Sequence, residues 1–356
     1  MSRAREPQCW NDAMRLLLSI AALVLAGAPA AAQQRVPLTI ATVPSVPSAS
    51  TYLALDKGYF RDAGLDVTVE RIDSLSKALA FVATNRIQVA QGGISAGYFN
   101  AVAQGLPIIM ALEGGSTPLY HLILVHPELA DRIKVPADLK GRRVALSAPG
   151  SNAVYELGMM LASAGLRIKD VDVKYIAFSQ MAVALANRAV DAALMVAPFT
   201  EVAVEQKIGV PWIDPEPFVK PLPMTNLAYI ASVDWIGQNR DVARRLFVAL
   251  ARAGRDYCQA YHRGPNRVEV IDSLVANKIV SDRDMLDRMQ WQARNPNGTF
   301  SVASLLSMQA FFKQEGIIDR EVAAERLADT SFAEEAARAL GSFELINKAS
   351  QLAGCR

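Results

Sequence analysis

RVALSAPGSNAVYELGMM, residues 143–160, passes from an apolar run through a Gly/Ser bend into a helical pattern. Its first four residues read as a short strand. Val154, Leu157, Gly158 and Leu161 then recur at i, i+3, i+4 and i+7, the spacing of one helix face. Gly165 is a natural stop, because glycine accepts the left-handed backbone conformation. The first turn carries no acidic side chain. A helix start has unpaired N–H groups and partial positive charge. Leaving it free of carboxylates keeps it open to an anionic oxygen from elsewhere.

The same strand-then-helix unit recurs along the chain. Strands are predicted over 38–43, 67–71, 89–91 and 107–112, with helices over 50–63 (interrupted at Gly58), 74–84 and 96–104. The pattern restarts near Leu139, with strands over 143–146, 171–176 and 192–196 and helices over 151–164 and 180–186. Such alternation implies α/β folding on largely parallel sheets. Residues 83–90 echo residues 185–192: a helix ends at Asn, an Arg follows and a strand begins. The echo favours two lobes with similar units. After Pro221-Leu222-Pro223, an isolated strand-like run over 226–231 precedes a helical tail over 242–261, 266–276, 281–293, 301–314, 319–327 and 331–339. The tail has no sheet of its own and is expected to pack onto lobe one. Lobe one would then be 36–125 plus 225–356, and lobe two an insertion over 126–224. The two crossings would fall near 121–128 and 222–229.

Hydrophobic residues make up 51% of the 356 and charged residues 20%, and the formal net charge is +2. Nothing in that balance suggests a nucleic-acid partner. The cluster Lys140-Gly141-Arg142-Arg143 reads as a solvated turn. Translation starts at Met1 or Met14. Met14-Arg15, an apolar run from Leu16 to Ala26 and the small residues Ala30-Ala31-Ala32 together describe a secretory signal over 1–32, cleaved after Ala32. The run is shorter than the ~20 residues that span a bilayer, and no later stretch reads as a membrane helix. No Cys follows it to carry a lipid. The expected location is a bacterial periplasm. Cys9 leaves with the signal. Cys258 and Cys355 remain; in an oxidising compartment they either pair and tie down the tail or stay as unrelated thiols.

In open α/β sheets, ligands bind beyond the carboxyl ends of the strands. Ser48, Ser50, Thr51 and Tyr52 follow the first strand, Gly93 and Ser95 the third, and Gly115 and Ser116 the fourth. In lobe two, Ser151 and Asn152, Ser179 and Gln180, and Pro198 and Phe199 follow successive strands. Any one of these loops is accounted for as a helix cap. Together they bring hydroxyls and bare amides from both lobes, with few charges. Tyr52, Tyr98, Tyr155, Phe178 and Phe199 either wall a ligand or belong to the core. Catalytic patterns are missing. His121 and His126 face different ways in an extended segment, no Ser sits in a G-x-S-x-G elbow, and no phosphate-binding glycine loop follows a strand. Asp191 reads as ordering the start of a strand and Glu201 as favouring a helix start. No catalytic residue, metal or cofactor is assigned.

Thr51-Tyr52-Leu53-Ala54-Leu55-Asp56-Lys57-Gly58-Tyr59-Phe60-Arg61-Asp62-Ala63-Gly64-Leu65-Asp66-Val67 resembles the "A…kGyF…eGLdV" signature of ABC-importer substrate-binding proteins. That family takes nitrate, sulfonates and taurine, and includes binders of a thiamine pyrimidine precursor. Asp138 to Ala145 followed by Gly150-Ser151, and Asn187 to Ala192 followed by Pro198, resemble its second and third signatures. Gln88 departs from the family's frequent Asp, at the strand end far from the ligand. The resemblance implies a type II periplasmic binding fold: two α/β lobes, two hinge crossings and a ligand in the cleft. It implies a monomer that delivers its solute to an inner-membrane permease driven by a cytoplasmic ATPase. Carried over, the family's pocket positions are Ser48, Ser50, Gly93, Ser95, Gly115, Ser151, Asn152 and Pro198. A small organic anion, sulfonate or carboxylate, is the favoured ligand; a neutral pyrimidine precursor is the alternative. Enzymes resembling these binders use a histidine with a cysteine-rich motif, which this chain lacks; a sensory module is a third reading. N-terminal sequencing of the exported chain is expected to begin at Gln33, and a start at Met1 or Met14 in the mature protein would refute the signal segment.

Overall fold

The computed structural model describes residues 34–119 and 121–356, so the signal segment and its cleavage site lie outside the described residues. The strands in chain order are β1 (Val36–Thr42), β2 (Leu65–Arg71), β3 (Val89–Gly93), β4 (Ile108–Ser116), β5 (Leu122–Val125), β6 (Arg143–Leu146), β7 (Asp172–Tyr175), β8 (Ala192–Met195), β9 (Val210–Ile213) and β10 (Thr225–Ser232). They form two five-stranded sheets, β2-β1-β3-β10-β4 and β7-β6-β8-β5-β9. In each sheet three strands run parallel, β1 with β2 and β3, and β6 with β7 and β8. Each sheet also takes an antiparallel strand next to that trio. β10 pairs with β3 and β4, and β5 with β8 and β9. Both are the first strand the chain makes after crossing between lobes.

Three expectations change here. Residues 122–125, placed in lobe one from the sequence, are β5 and belong to the second sheet, where Leu122 to Val125 pair with Met195 to Ala192. The first crossing is therefore 117–121 and the second 214–224. A four-residue apolar strand carries no mark of which sheet it joins. Residues 226–231 are the interior strand β10, buried along its whole length, which explains the lack of alternation. The helix expected over 281–293 is confined to Arg283–Arg288. The residues after it run extended along β4: Ser116 N donates to Ala293 O (2.9 Å) and Ala293 N to Pro118 O (2.8 Å).

The echo between lobes is real but shifted by one residue. Asn85 takes the left-handed conformation at φ 59° after the helix Leu75–Ala83. After the helix Phe178–Ala186 it is Arg188, at φ 56°, not Asn187. The side chain just before each strand then does the same work. Gln88 Oε1 accepts from Thr39 N (2.8 Å) and Asp191 Oδ2 from Arg143 N (2.9 Å). Each ties the start of a third parallel strand to the first, at its fourth residue in lobe one and at its first residue in lobe two. Asp191 also takes a bidentate hold on the Arg143 guanidinium. Gln88 is thus a neutral residue in a structural role that a carboxylate also fills.

The helical tail packs onto lobe one, as expected. Arg240–Tyr261, Arg267–Ala276 and Ser331–Leu340 cover one face of the first sheet beside Ala49–Asp56. Val302–Gln314 lies on the other face with Leu75–Ala83 and Ala96–Ala103, and it also touches lobe two. Tyr155 Oη and Ser307 Oγ are hydrogen-bonded at 2.9 Å, and Arg167 pairs with Glu315 at 3.0 Å. Gly158 makes this approach feasible, because a Cβ there would overlap the Phe311 ring. Among the described residues no helix is long and apolar enough to cross a membrane. Gly158→Val is expected to cost roughly 1–3 kcal/mol, as overpacked contacts do, read from the urea midpoint; an unchanged midpoint would show that the helices separate freely.

Candidate functional site

β1 lies between β2 and β3, and β6 between β7 and β8, so the winding of each sheet reverses at those strands. The crevices beyond such reversals are where open α/β sheets bind ligands. The loops at the two reversals meet. Ser95 and Ser151, each the residue before a helix, form an isolated antiparallel bridge, and Ala96 N donates to Gly150 O at 2.8 Å. Gly150 is needed there on two counts. Its φ is +63°, and a Cβ on it would sit 2.8 Å from the Ala96 Cβ. Asn152 Oδ1 lies 3.9 Å from where a Cβ on Gly93 would be. The helices Ala49–Asp56, Ala96–Ala103 and Asn152–Ala162 have no acidic residue in the first turn. The buried Ser151 hydroxyl has no hydrogen-bond partner in the protein.

The other expected residues divide. The Ser48 hydroxyl is engaged in its own turn, donating to Ser45 O (2.6 Å) and accepting from Ser45 N (3.2 Å). Thr51 is buried against Tyr229 Oη at 3.0 Å. Tyr52 turns toward Arg71, at the end of the edge strand β2, and burial raises its pKa. Gly115 and Ser116 are the last residues of β4, not a loop. Pro198 and Phe199 stand at the start of Phe199–Glu205, and Phe199 stacks on Phe178 with centroids 6.2 Å apart. Ser179 and Gln180 are exposed in a first helical turn after β7, the outer strand, and so stand away from the reversal. Tyr98 and Tyr155 are core residues.

The sequence reading expects a gap nearly empty of formal charge; the structure corrects this. Arg294 and Glu113, each 3% exposed, lie beneath the lobe-one loops. The Arg294 guanidinium donates to Ser50 Oγ and to Pro47 O, and sits 4.0 Å from the Tyr257 ring centroid. Glu113 accepts from Asn295 N (2.9 Å) through one oxygen, while the other has no partner. Burial pushes the Glu113 carboxyl up to about 8, against the pull of Arg294 and of hydrogen bonds from Asn295, Ser116 and Gly115. Buried amides complete the cluster. Gln91 Oε1 accepts from Thr42 Oγ1, and Gln292 donates to Asn226. These residues are scattered from 42 to 294, and single polar positions in strands give no local signal.

His121 and His126 are hydrogen-bonded within the protein. His121, on the first crossing, bonds Glu156 at 2.9 Å. Burial works against its charged form, but Glu156, Asp214 and Glu216 outweigh it and its pKa is raised. Leu119 N donates to Glu216 (2.9 Å), which links the two crossings. His126 caps a short turn by accepting from Glu128 N. Cys258 and Cys355 are free, buried thiols in this structure; burial raises the Cys258 pKa and the neighbouring Cys355 adds to the rise. Among the described residues no group of His, Cys, Asp and Glu is arranged to hold a metal.

The family described as NMT1/THI5 like matches residues 46–261. No match was found among curated proteins. The chain is similar to the alkanesulfonate-binding protein SsuA from Xanthomonas axonopodis pv. citri, solved with MOPS, at TM-score 0.65 and 18% identity over 83% of this chain and 98% of that one. It is similar to the periplasmic nitrate-binding protein NrtA from Synechocystis PCC 6803 at TM-score 0.68 and 14% identity, over 90% and 92%. The desulfurization enzyme DSZB also superposes, at TM-score 0.56 and 16% identity over 86% and 100%. At these identities the likeness establishes the two-lobed periplasmic binding fold, which hosts binders and at least one enzyme.

Glu113 makes the site's stability depend on pH. Its folded pKa of about 8 lies above the ordinary 4.5, so between those values the folded state holds the extra proton. Its contribution is full below 4.5 and is lost as pH rises through 8. Glu113→Gln is expected to gain on the wild type by up to roughly 1.4 kcal/mol per pH unit across that window and by a constant amount above it. Urea unfolding at pH 5, 7 and 9 measures this; parallel curves for the two proteins would refute it.

Proposed function

The chain belongs to the NMT1/THI5-like family, and from that premise we propose that it is the solute-binding component of an ABC-type importer. It works in the periplasm as a monomer, captures a small organic anion between the lobes and hands it to a membrane permease. It binds and does not catalyse. The observation that carries this reading is the meeting of two helix starts, one from each lobe, around the Ser95–Ser151 bridge. Both starts lack carboxylates, and the buried Ser151 hydroxyl is unpartnered. An anionic oxygen held by amides and hydroxyls needs no opposite side-chain charge, because such charge-assisted bonds are the strong ones.

Gly93, Ser95, Ser151 and Asn152 form the oxyanion end of the proposed site. Pro198, Phe199 and Phe178 wall its apolar end in lobe two. Gly115 and Ser116 border it from β4, while Ser48, Ser50 and Thr51 support the first helix start from behind. The ligand favours the closed arrangement only through contacts that the open one lacks. The two crossings act as the hinge, and the fit of lobe two against Val302–Gln314 limits how far it swings.

A thermal-shift panel of alkyl and aryl sulfonates, carboxylates, nitrate and neutral pyrimidines tests the reading. At ~100-fold over Kd the true ligand should add about 2.7 kcal/mol. Ser151→Glu is expected to abolish that shift and leave the unliganded melting temperature within a few degrees. Unchanged affinity in this variant, or a shift from pyrimidines alone, would overturn the anion pocket.

A further inference from the structure

A cavity of about 140 Å³ opens where both crossings leave lobe one. Ser116 and Thr117 line it at the end of β4, and Thr225 at the start of β10. Ser301, Arg294 and Arg356 close the other side. No lobe-two helix start borders it, and Ser116 is the one residue it shares with the cleft site proposed above. Its lining holds two guanidinium side chains and no carboxylate side chain.

Three of its hydroxyls accept a bond from a backbone amide. Thr117 Oγ1 accepts from Met224 N (3.0 Å), Thr225 Oγ1 from Ser301 N (2.9 Å) and Ser301 Oγ from Ser304 N (3.4 Å). Each fills one of its two acceptor positions in this way and keeps an O–H that can donate. Arg294 is buried, its Nε–H has no acceptor in the protein, and its other bonds go to a hydroxyl and a carbonyl oxygen. A buried cation with no counter-charge is costly. The groups facing it are Tyr229 from β10, Tyr257 and Cys258 from the long helix, Cys355 from the tail and Glu113 from β4. The tyrosine and Cys258 pKa values are raised by burial, and Glu113 is held up to about 8. Arg356 is steadied by the carbonyl oxygens of Leu352 and Ser350.

We propose that this cavity is a second ligand site, which takes one tetrahedral inorganic oxyanion of the sulfate or phosphate kind between Arg294, Arg356 and the hydroxyls of Thr117, Thr225 and Ser301. The bound anion ties both crossings to the C-terminal segment and so stiffens the hinge. This does not depend on which solute the cleft binds.

Equilibrium dialysis of the full chain against labelled inorganic sulfate, in chloride at constant ionic strength, tests it. The wild type is expected to bind one sulfate per chain saturably. Arg294→Met should abolish binding, and Arg356→Gln and Thr225→Ala should each weaken it at least fivefold. Arg338→Gln, on a distant surface helix, should bind as the wild type does. Ser151→Glu should still bind one sulfate, which separates this site from the cleft. No saturable binding by the wild type at millimolar sulfate would overturn the proposal. Loss of binding in Ser151→Glu, which would place the anion in the cleft, would overturn it too. If Arg294→Met does not fold by circular dichroism, the other two variants decide, and wild-type affinity in both would overturn it.

Discussion

Lobe two touches lobe one through backbone at a close approach of Gly150 to Ala96, and the rest of the cleft is arranged around it. The approach works because Gly150 has no side chain and adopts a conformation that other residues avoid. It brings two helix starts together with their positive ends facing inward, an arrangement that is unfavourable unless something negative lies between them. A second close approach, Gly158 beneath Phe311, fixes the other end of the same lobe-two helix. The helix is thereby clamped at two points about two turns apart. The positions of Ser151 and Asn152 follow from that clamp more than from anything within lobe two.

Both lobes solve the same problem with different residues. A third parallel strand must hold its register on the first, and one polar side chain spans the gap to a backbone amide of that strand. Asp191 does this with help from Arg143; Gln88 does it alone. The left-handed residue that ends the preceding helix falls three positions earlier in both cases. Aligning the two segments by residue type, Asn on Asn, misses this by one position. Function at a fixed geometric station is the better guide.

Much of the architecture was legible from periodicity. The alternation of short strands and helices announced two α/β units, glycines at 58 and 165 marked stops that the structure keeps, and the loops at the reversals were named from strand order. Where legibility failed, the missing information was non-local. β5 is four apolar residues whose sheet is decided by Ala192 to Met195, about 70 positions away. β10 looked isolated because both its partners precede it by more than a hundred residues. Arg294 and Glu113 could not be paired with the cleft, because an extended segment after Arg283–Arg288 carries Arg294 back along β4, where the pattern suggested continuing helix. Ser179 and Gln180 follow the outer strand β7, and a loop after an outer strand resembles, in sequence, a loop after an inner one.

The interior position of β10 has a consequence for biogenesis. Lobe two is one uninterrupted stretch and can fold as soon as it has emerged from the ribosome. Lobe one cannot. Until residue 232 is free, β3 shows a bare edge and β4 has no strand beside it at all. Those edges are apolar and open to pairing with other chains. The half-built lobe must therefore keep those edges from pairing wrongly while some hundred later residues are made.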